Sequence, residues 1–100
     1  MTIRASSVFK KEINEITFGS VLRAYRLMNQ VSQISLAKKL FMTRQNLCDI
    51  EKGRQIVSAE KAKKIAKTIG MSEKVAVEAS LQDQLKKAKL KYKVELKKLA

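Results

Sequence analysis

The side chains able to do chemistry in this sequence are almost all cationic or amide groups. Histidine is absent, Cys48 stands alone and glycine occurs three times. Imidazole acid–base catalysis, imidazole metal ligation and a glycine-rich phosphate loop are therefore excluded, and no metal or organic cofactor is expected. A single thiol forms no internal disulfide, and Cys48 reads as an ordinary small helix residue. Without a nucleophile and base pair, the chain does not read as an enzyme. Against nine Asp and Glu stand 22 Lys and Arg, a formal net charge of +13. That exceeds what solubility alone requires and calls for a polyanionic partner.

The elements that must position those charges are helices. One hundred residues, 45% of them hydrophobic, make one domain with one modest core. Proline is absent and apolar residues recur at helical spacing, which predicts an all-α fold. No apolar run approaches the roughly 20 residues of a membrane helix, and residues 1–7 lack the apolar stretch of a secretory signal. The expectation is a cytoplasmic protein with no membrane partner.

Three segments follow: a basic arm over 1–16, a core over 17–70 and a C-terminal extension over 71–100. Thr17 caps a first helix with Phe18, Val21, Leu22, Tyr25 and Met28 on one face. Ser32 caps a second, with Val31 and Leu36 as a hydrophobic staple and Ala37 and Leu40 continuing inward. Thr43 caps a third from Arg44 to Lys52, stapled by Met42 and Leu47 and ended by Gly53. Ser58 caps a fourth that buries Ala62, Ile65, Ala66 and Ile69 and stops at Gly70. A fifth runs from Glu73 to about Ala88 with Val77, Leu81, Leu85 and Ala88 on one side. Beyond it Leu90, Tyr92, Val94 and Leu96 alternate with Lys91, Lys93, Glu95 and Lys97, which predicts a short C-terminal β-strand. A strand needs a neighbour: residues 2–5, or the same strand of a second molecule across a two-fold axis, the second being preferred.

Two short capped helices joined by the tight turn Phe41-Met42-Thr43 form a helix-turn-helix, whose second helix can enter a DNA major groove. The residues Gln33-Ile34-Ser35-Leu36-Ala37-Lys38-Lys39-Leu40, Met42-Thr43-Arg44-Gln45-Asn46-Leu47 and Ile50-Glu51-Lys52-Gly53-Arg54 resemble the phage-repressor and Cro type of helix-turn-helix, the XRE family, over about residues 17–70. The resemblance implies a compact five-helix, lambda-repressor-like domain on double-stranded operator DNA. It places Arg44, Gln45 and Asp49 at base edges. Arg suits guanine O6 and N7 and Gln suits adenine N6 and N7, whereas Asp49 could accept from cytosine N4 but carries a charge that opposes phosphates, and so is equally a selectivity filter or a bystander. It places Gln33, Lys52 and Arg54 on the DNA backbone, with Thr43 and Asn46 beside them, and pairs Arg26 with Glu51 as a structural ion pair.

Two positions depart from the family pattern. Phe41 stands where the turn usually has Gly, and Val57 stands where Pro is common. A bulky residue with positive φ is strained, so either the turn differs or Phe41 packs into the core. The seven Lys in residues 86–100 serve either as a solvent face or as further phosphate contacts, and Arg4, Lys10 and Lys11 form either a DNA-reaching arm or a frayed terminus. The function expected is a homodimeric, sequence-specific transcriptional repressor on an inverted repeat with half-sites about 34 Å apart. The alternatives are a HigA-like antitoxin that binds a toxin through its C-terminal extension, and a protein-interaction adaptor that binds no DNA.

Overall fold

Hydroxyl groups start every helix of the computed structural model, which describes residues 16–99. The helices are α1 (Phe18–Met28), α2 (Gln33–Lys39), α3 (Arg44–Glu51), α4 (Ala59–Ile69) and α5 (Glu73–Lys87). Their caps are Thr17, Ser32, Thr43, Ser58 and Ser72, each accepting the N–H three residues on. These satisfy donors that a helix start otherwise leaves open. Thr17 and Ser20 add the reciprocal bond of a capping box. The proposed arm, with Arg4, Lys10 and Lys11, and the candidate pairing segment at residues 2–5 lie outside the described residues.

The helices also end alike. The N–H donates to a carbonyl five residues back at Val31 to Arg26, Met42 to Ala37, Arg54 to Asp49, Met71 to Ala66 and Leu90 to Leu85. Each bond closes over one left-handed residue, as in a Schellman turn. Gly53 and Gly70 fill two of these positions, while Gln30, Phe41 and Lys89 fill the others at φ 55°, 56° and 60°. The turn before α3 thus keeps its left-handed geometry without glycine, at a cost of about 1–2 kcal/mol. Phe41 does not pack into the core; its side chain is 98% exposed.

The core joins Phe18 and Leu22 of α1, Leu36 and Ala37 of α2, Leu47 and Ile50 of α3, Val57, the α4 residues Ala62, Ile65 and Ala66, Met71, and Ala76 of α5. Val57 is buried in the position where the resemblance leads one to look for proline. Two expected faces are corrected. Met28 is 81% exposed, because the buried stripe of α1 runs through Phe18, Gly19, Leu22 and Arg26. On α5 the buried residues are Ala76, Ser80 and Asp83, while Val77, Leu81 and Leu85 are only half-buried and Ala88 is exposed. Small and polar side chains let α5 lie close to α1. There Asp83 Oδ2 accepts the Phe18 N–H at 3.0 Å, an acceptor for a helix start supplied from 65 residues away.

The predicted C-terminal strand is also corrected. No described residue is in a β-strand, and 90–99 form no backbone ladder. The segment lies along α5 instead. Gln82 Nε2 donates to the Tyr92 carbonyl at 2.7 Å, and Gln82 Oε1 and Glu78 Oε1 accept from the Val94 and Leu96 N–H groups at 2.9 and 3.1 Å. Val94 and Leu96 are half-buried and their neighbours exposed. The two-residue period is present, but side chains stand in for the missing strand.

Gly19 is the most tightly packed of the three glycines. A Cβ there would overlap the Ile50 carbonyl oxygen and lie 2.8 Å from its carbon. Backbone cannot yield as a side-chain tip can, so Gly19→Ala pushes α1 off α3 and destabilises by about 3 kcal/mol, read as a lower urea midpoint. Asp83 gives a pH dependence. Burial raises its pKa above the ordinary carboxylate value, opposed by the Phe18 N–H and by the positive charge of Lys86. A carboxyl with a raised folded-state pKa binds protons more tightly folded than unfolded. Its contribution therefore falls as pH rises through the interval between the two values and stays low above it. Asp83→Asn keeps an acceptor for Phe18 and removes the titration. Its stability relative to the wild type should rise between acid and neutral pH in urea unfolding curves.

Candidate nucleic-acid interface

The exposed front of α3 is held from behind. Glu51, the last residue of α3, is 5% exposed, and Arg26 is 8% exposed. Arg26 Nε and Nη2 donate to Glu51 Oε2 and Oε1 at 2.8 and 2.9 Å, a bidentate pair. Arg26 Nη1 donates to the Val31 carbonyl at 3.0 Å, and Gln33 Nε2 donates to Glu51 Oε1 at 3.1 Å. The Glu51 hydrogen bond raises the Arg26 pKa against the opposing effect of burial. One buried cluster thus joins α1, the α1–α2 loop, the first residue of α2 and the last of α3. Gln33, expected at a DNA phosphate, donates here to Glu51 and is half-exposed as a residue.

At the front, Leu47, Ile50 and Glu51 point inward, while Thr43, Arg44, Gln45 and Lys52 are exposed and Asn46 and Asp49 half-exposed. The guanidinium of Arg44, the first residue of α3, makes no hydrogen bond or ion pair among the described residues. Gln45 Nε2 donates to Asp49 Oδ1 at 3.0 Å, and Arg54 Nη1 lies 3.5 Å from the same oxygen. Asp49 is therefore engaged from both sides. A carboxamide nitrogen carries two hydrogens. With one given to Asp49, Gln45 keeps a second N–H and its Oε1 on the outer surface. Asn46 gives its backbone N–H to the Thr43 hydroxyl.

Neither α2 nor α3 carries an acidic residue in its own first turn, so neither helix offsets the positive end of its dipole from within. Lys52 and Arg54 follow the end of α3, around Gly53, and are exposed. Eight residues at 1.5 Å make α3 about 12 Å long, matching the roughly 12 Å width of the B-DNA major groove. No group of three or more metal-ligating side chains occurs among the described residues, and no described helix is long and apolar enough to cross a membrane. Reading the sequence missed Gly19 and Asp83, the two residues that fix α1 against α3 and α5; neither carries a local pattern that points to its distant partner.

A helix pair joined by a left-handed turn, with its second helix locked at the back and cationic at the front, defines a helix-turn-helix protein. The helix-turn-helix family model matches residues 22–75, and the chain belongs to that family, which is not typically enzymatic. It is 44% identical over 50 residues to an uncharacterized HTH-type transcriptional regulator of Methanocaldococcus jannaschii, an alignment covering 50% of this chain and 76% of that protein. No solved structure matches.

The buried cluster is sensitive to losing one partner. Glu51→Ala leaves the Arg26 guanidinium uncompensated and should cost about 3–5 kcal/mol, a large share of a small domain's stability. Replacing both residues by Met should recover most of that loss. A urea unfolding cycle over the two single variants and the double variant measures the coupling.

Proposed function

We propose that this protein is a sequence-specific, DNA-binding transcriptional regulator that reads operator bases with the front of α3. The observation that carries the reading is the pairing of exposed Arg44 and Gln45 on α3 with a buried bidentate clamp behind it. An unengaged guanidinium at the helix start suits guanine O6 and N7, and the outward N–H and Oε1 of Gln45 suit adenine N7 and N6. Asp49 is a positioning residue in this reading. It fixes the Gln45 amide, and Arg54 offsets the charge that would otherwise repel phosphate. Thr43, Asn46, Gln33, Lys52 and Arg54 contact the backbone and set affinity rather than sequence. The relative's name, an HTH-type transcriptional regulator, supports the same class.

One short helix reads few base pairs. A homodimer on an inverted repeat doubles the readout and sets half-site centres one helical turn, about 34 Å, apart. A bound dimer would act as a repressor by occluding a promoter. Selection of bound duplexes from a random pool tests the reading. The wild type should enrich an inverted repeat, and Arg44→Ala and Gln45→Ala should each relax preference at different defined bases by about 1–3 kcal/mol. Retention of the wild-type motif by both variants would reject the assignment.

A further inference from the structure

The ring of Phe41 is 98% exposed, on a backbone held at φ 56°. Strained backbone and a hydrated aromatic ring at one residue point to a contact made outside the fold rather than to a structural role. Beside Phe41 an open groove of about 590 Å³ runs between the α2–α3 turn and α4. Its floor is aliphatic, with Ile65 of α4 buried and Leu40 and Met42 half-buried. Its rim is cationic: Lys39, Lys61, Lys64 and Lys67 line it, and no acidic residue does. Lys39, Lys61 and Lys67 make no ion pair among the described residues, and Lys64 has only a loose contact with Glu60 at 3.8 Å, both ends being exposed. None of the residues assigned to DNA lines the groove.

We propose that this groove binds an acidic amphipathic helix of a protein partner, with Phe41 as the aromatic anchor. Charge sets the first requirement, since four lysines and no acid call for anionic groups. An aliphatic floor edged by an aromatic ring and rimmed by polar groups calls for an apolar stripe, the pattern of a helix laid in a groove. Aromatic anchors carry a large share of the energy at such contacts. The spacing is helical as well. Lys61, Lys64 and Lys67 recur every three residues, about 4.5 Å along α4, and acidic residues three or four apart on a facing helix recur at about 4.5 to 6 Å. Nucleic acid fits less well, because bases stack on aromatic faces and the groove offers one ring beside an aliphatic floor. Against such a partner the ring leaves water and the row of like charges on α4 is neutralised, which offsets what Phe41 costs the free chain. The inference goes beyond operator reading and adds a protein contact to it.

The test uses the full chain and a labelled probe peptide of about 16 residues, long enough to take up helix. The probe carries leucines at i, i+3, i+4 and i+7 and glutamates at the flanking positions. Fluorescence anisotropy at about 0.15 M salt, where exposed charges more than about 8 Å apart are screened, should show saturable binding. Phe41→Gly should weaken it about tenfold or more while raising the urea midpoint, because glycine takes the left-handed backbone freely. Weakening in a more stable variant is then a loss of contact and not of fold. Lys64→Glu combined with Lys67→Glu should weaken the probe by a similar factor. A second probe with lysines in place of the glutamates should bind that double variant more tightly than it binds the wild type. Lys97→Glu combined with Lys98→Glu makes the same change in net charge outside the groove and should leave binding within about twofold. Equal weakening by the two double variants would mean general attraction to a basic chain and would overturn the inference. So would a Phe41→Gly variant that binds like the wild type, or the absence of saturable binding. A single-stranded oligothymidine that displaces the probe and loses affinity in Phe41→Gly would assign the groove to nucleic acid and overturn it too. Base reading by Arg44 and Gln45 is scored separately. Phe41→Gly should keep the wild-type operator motif, and failure of the wild type to enrich any duplex would end that reading and leave this one standing.

Discussion

The buried pairing of Arg26 with Glu51 is the interaction on which the exposed surface depends. Its value lies in geometry more than in net stability, since desolvation offsets much of the attraction between buried charges. A planar guanidinium donating two parallel bonds tolerates little rotation of the carboxylate, and Glu51 is the last residue of α3. The tilt of the helix is therefore tied to α1. Gly19 fixes the distance as Arg26 fixes the angle, because α1 approaches the Ile50 carbonyl closely enough to exclude a Cβ. Gln33 adds α2 to the same carboxylate. Three helices share one point of reference, directly behind the side chains that face outward.

A second polar contact plays a similar part at the other end of α1. The Asp83 carboxylate, supplied by α5, meets the first N–H of α1 beside the capping box of Thr17 and Ser20. Helix starts favour negative charge, yet burial raises the free energy of the ionised form. The arrangement is a compromise between those two effects. It also accounts for the low apolar content of the inner face of α5, where Ala76, Ser80 and Asp83 permit an approach that leucines would block.

Much of this architecture is legible in the sequence because it is written locally. Each of the five N-caps is a Ser or Thr directly before a periodic segment, and the cap bond spans three residues. Helix ends are less legible. Gly53 and Gly70 announce themselves, whereas Gln30, Phe41 and Lys89 adopt the same left-handed geometry without the residue type that signals it. The inner face of α5 is misread because the apolar stripe Val77, Leu81 and Leu85 is the more hydrophobic one, but close helix packing selects the smaller side chains. The tail shows its two-residue period in sequence; that Gln82 and Glu78 would serve as its neighbour is a long-range fact with no local trace. At the front of α3, Arg44 and Gln45 are singled out by the family resemblance, and the structure adds that both are exposed. The engagement of Asp49 by Gln45 and Arg54 could be drawn only with atoms in place.

Phe41 combines two unfavourable features in one residue, a left-handed backbone and a fully hydrated aromatic ring. The backbone alone holds the folded chain about 1–2 kcal/mol closer to its unfolded ensemble than glycine's freedom would require, which is roughly tenfold more molecules open to proteases at any instant. For a protein of this size that is a shift in lifetime, and hence in how quickly its amount follows its rate of synthesis.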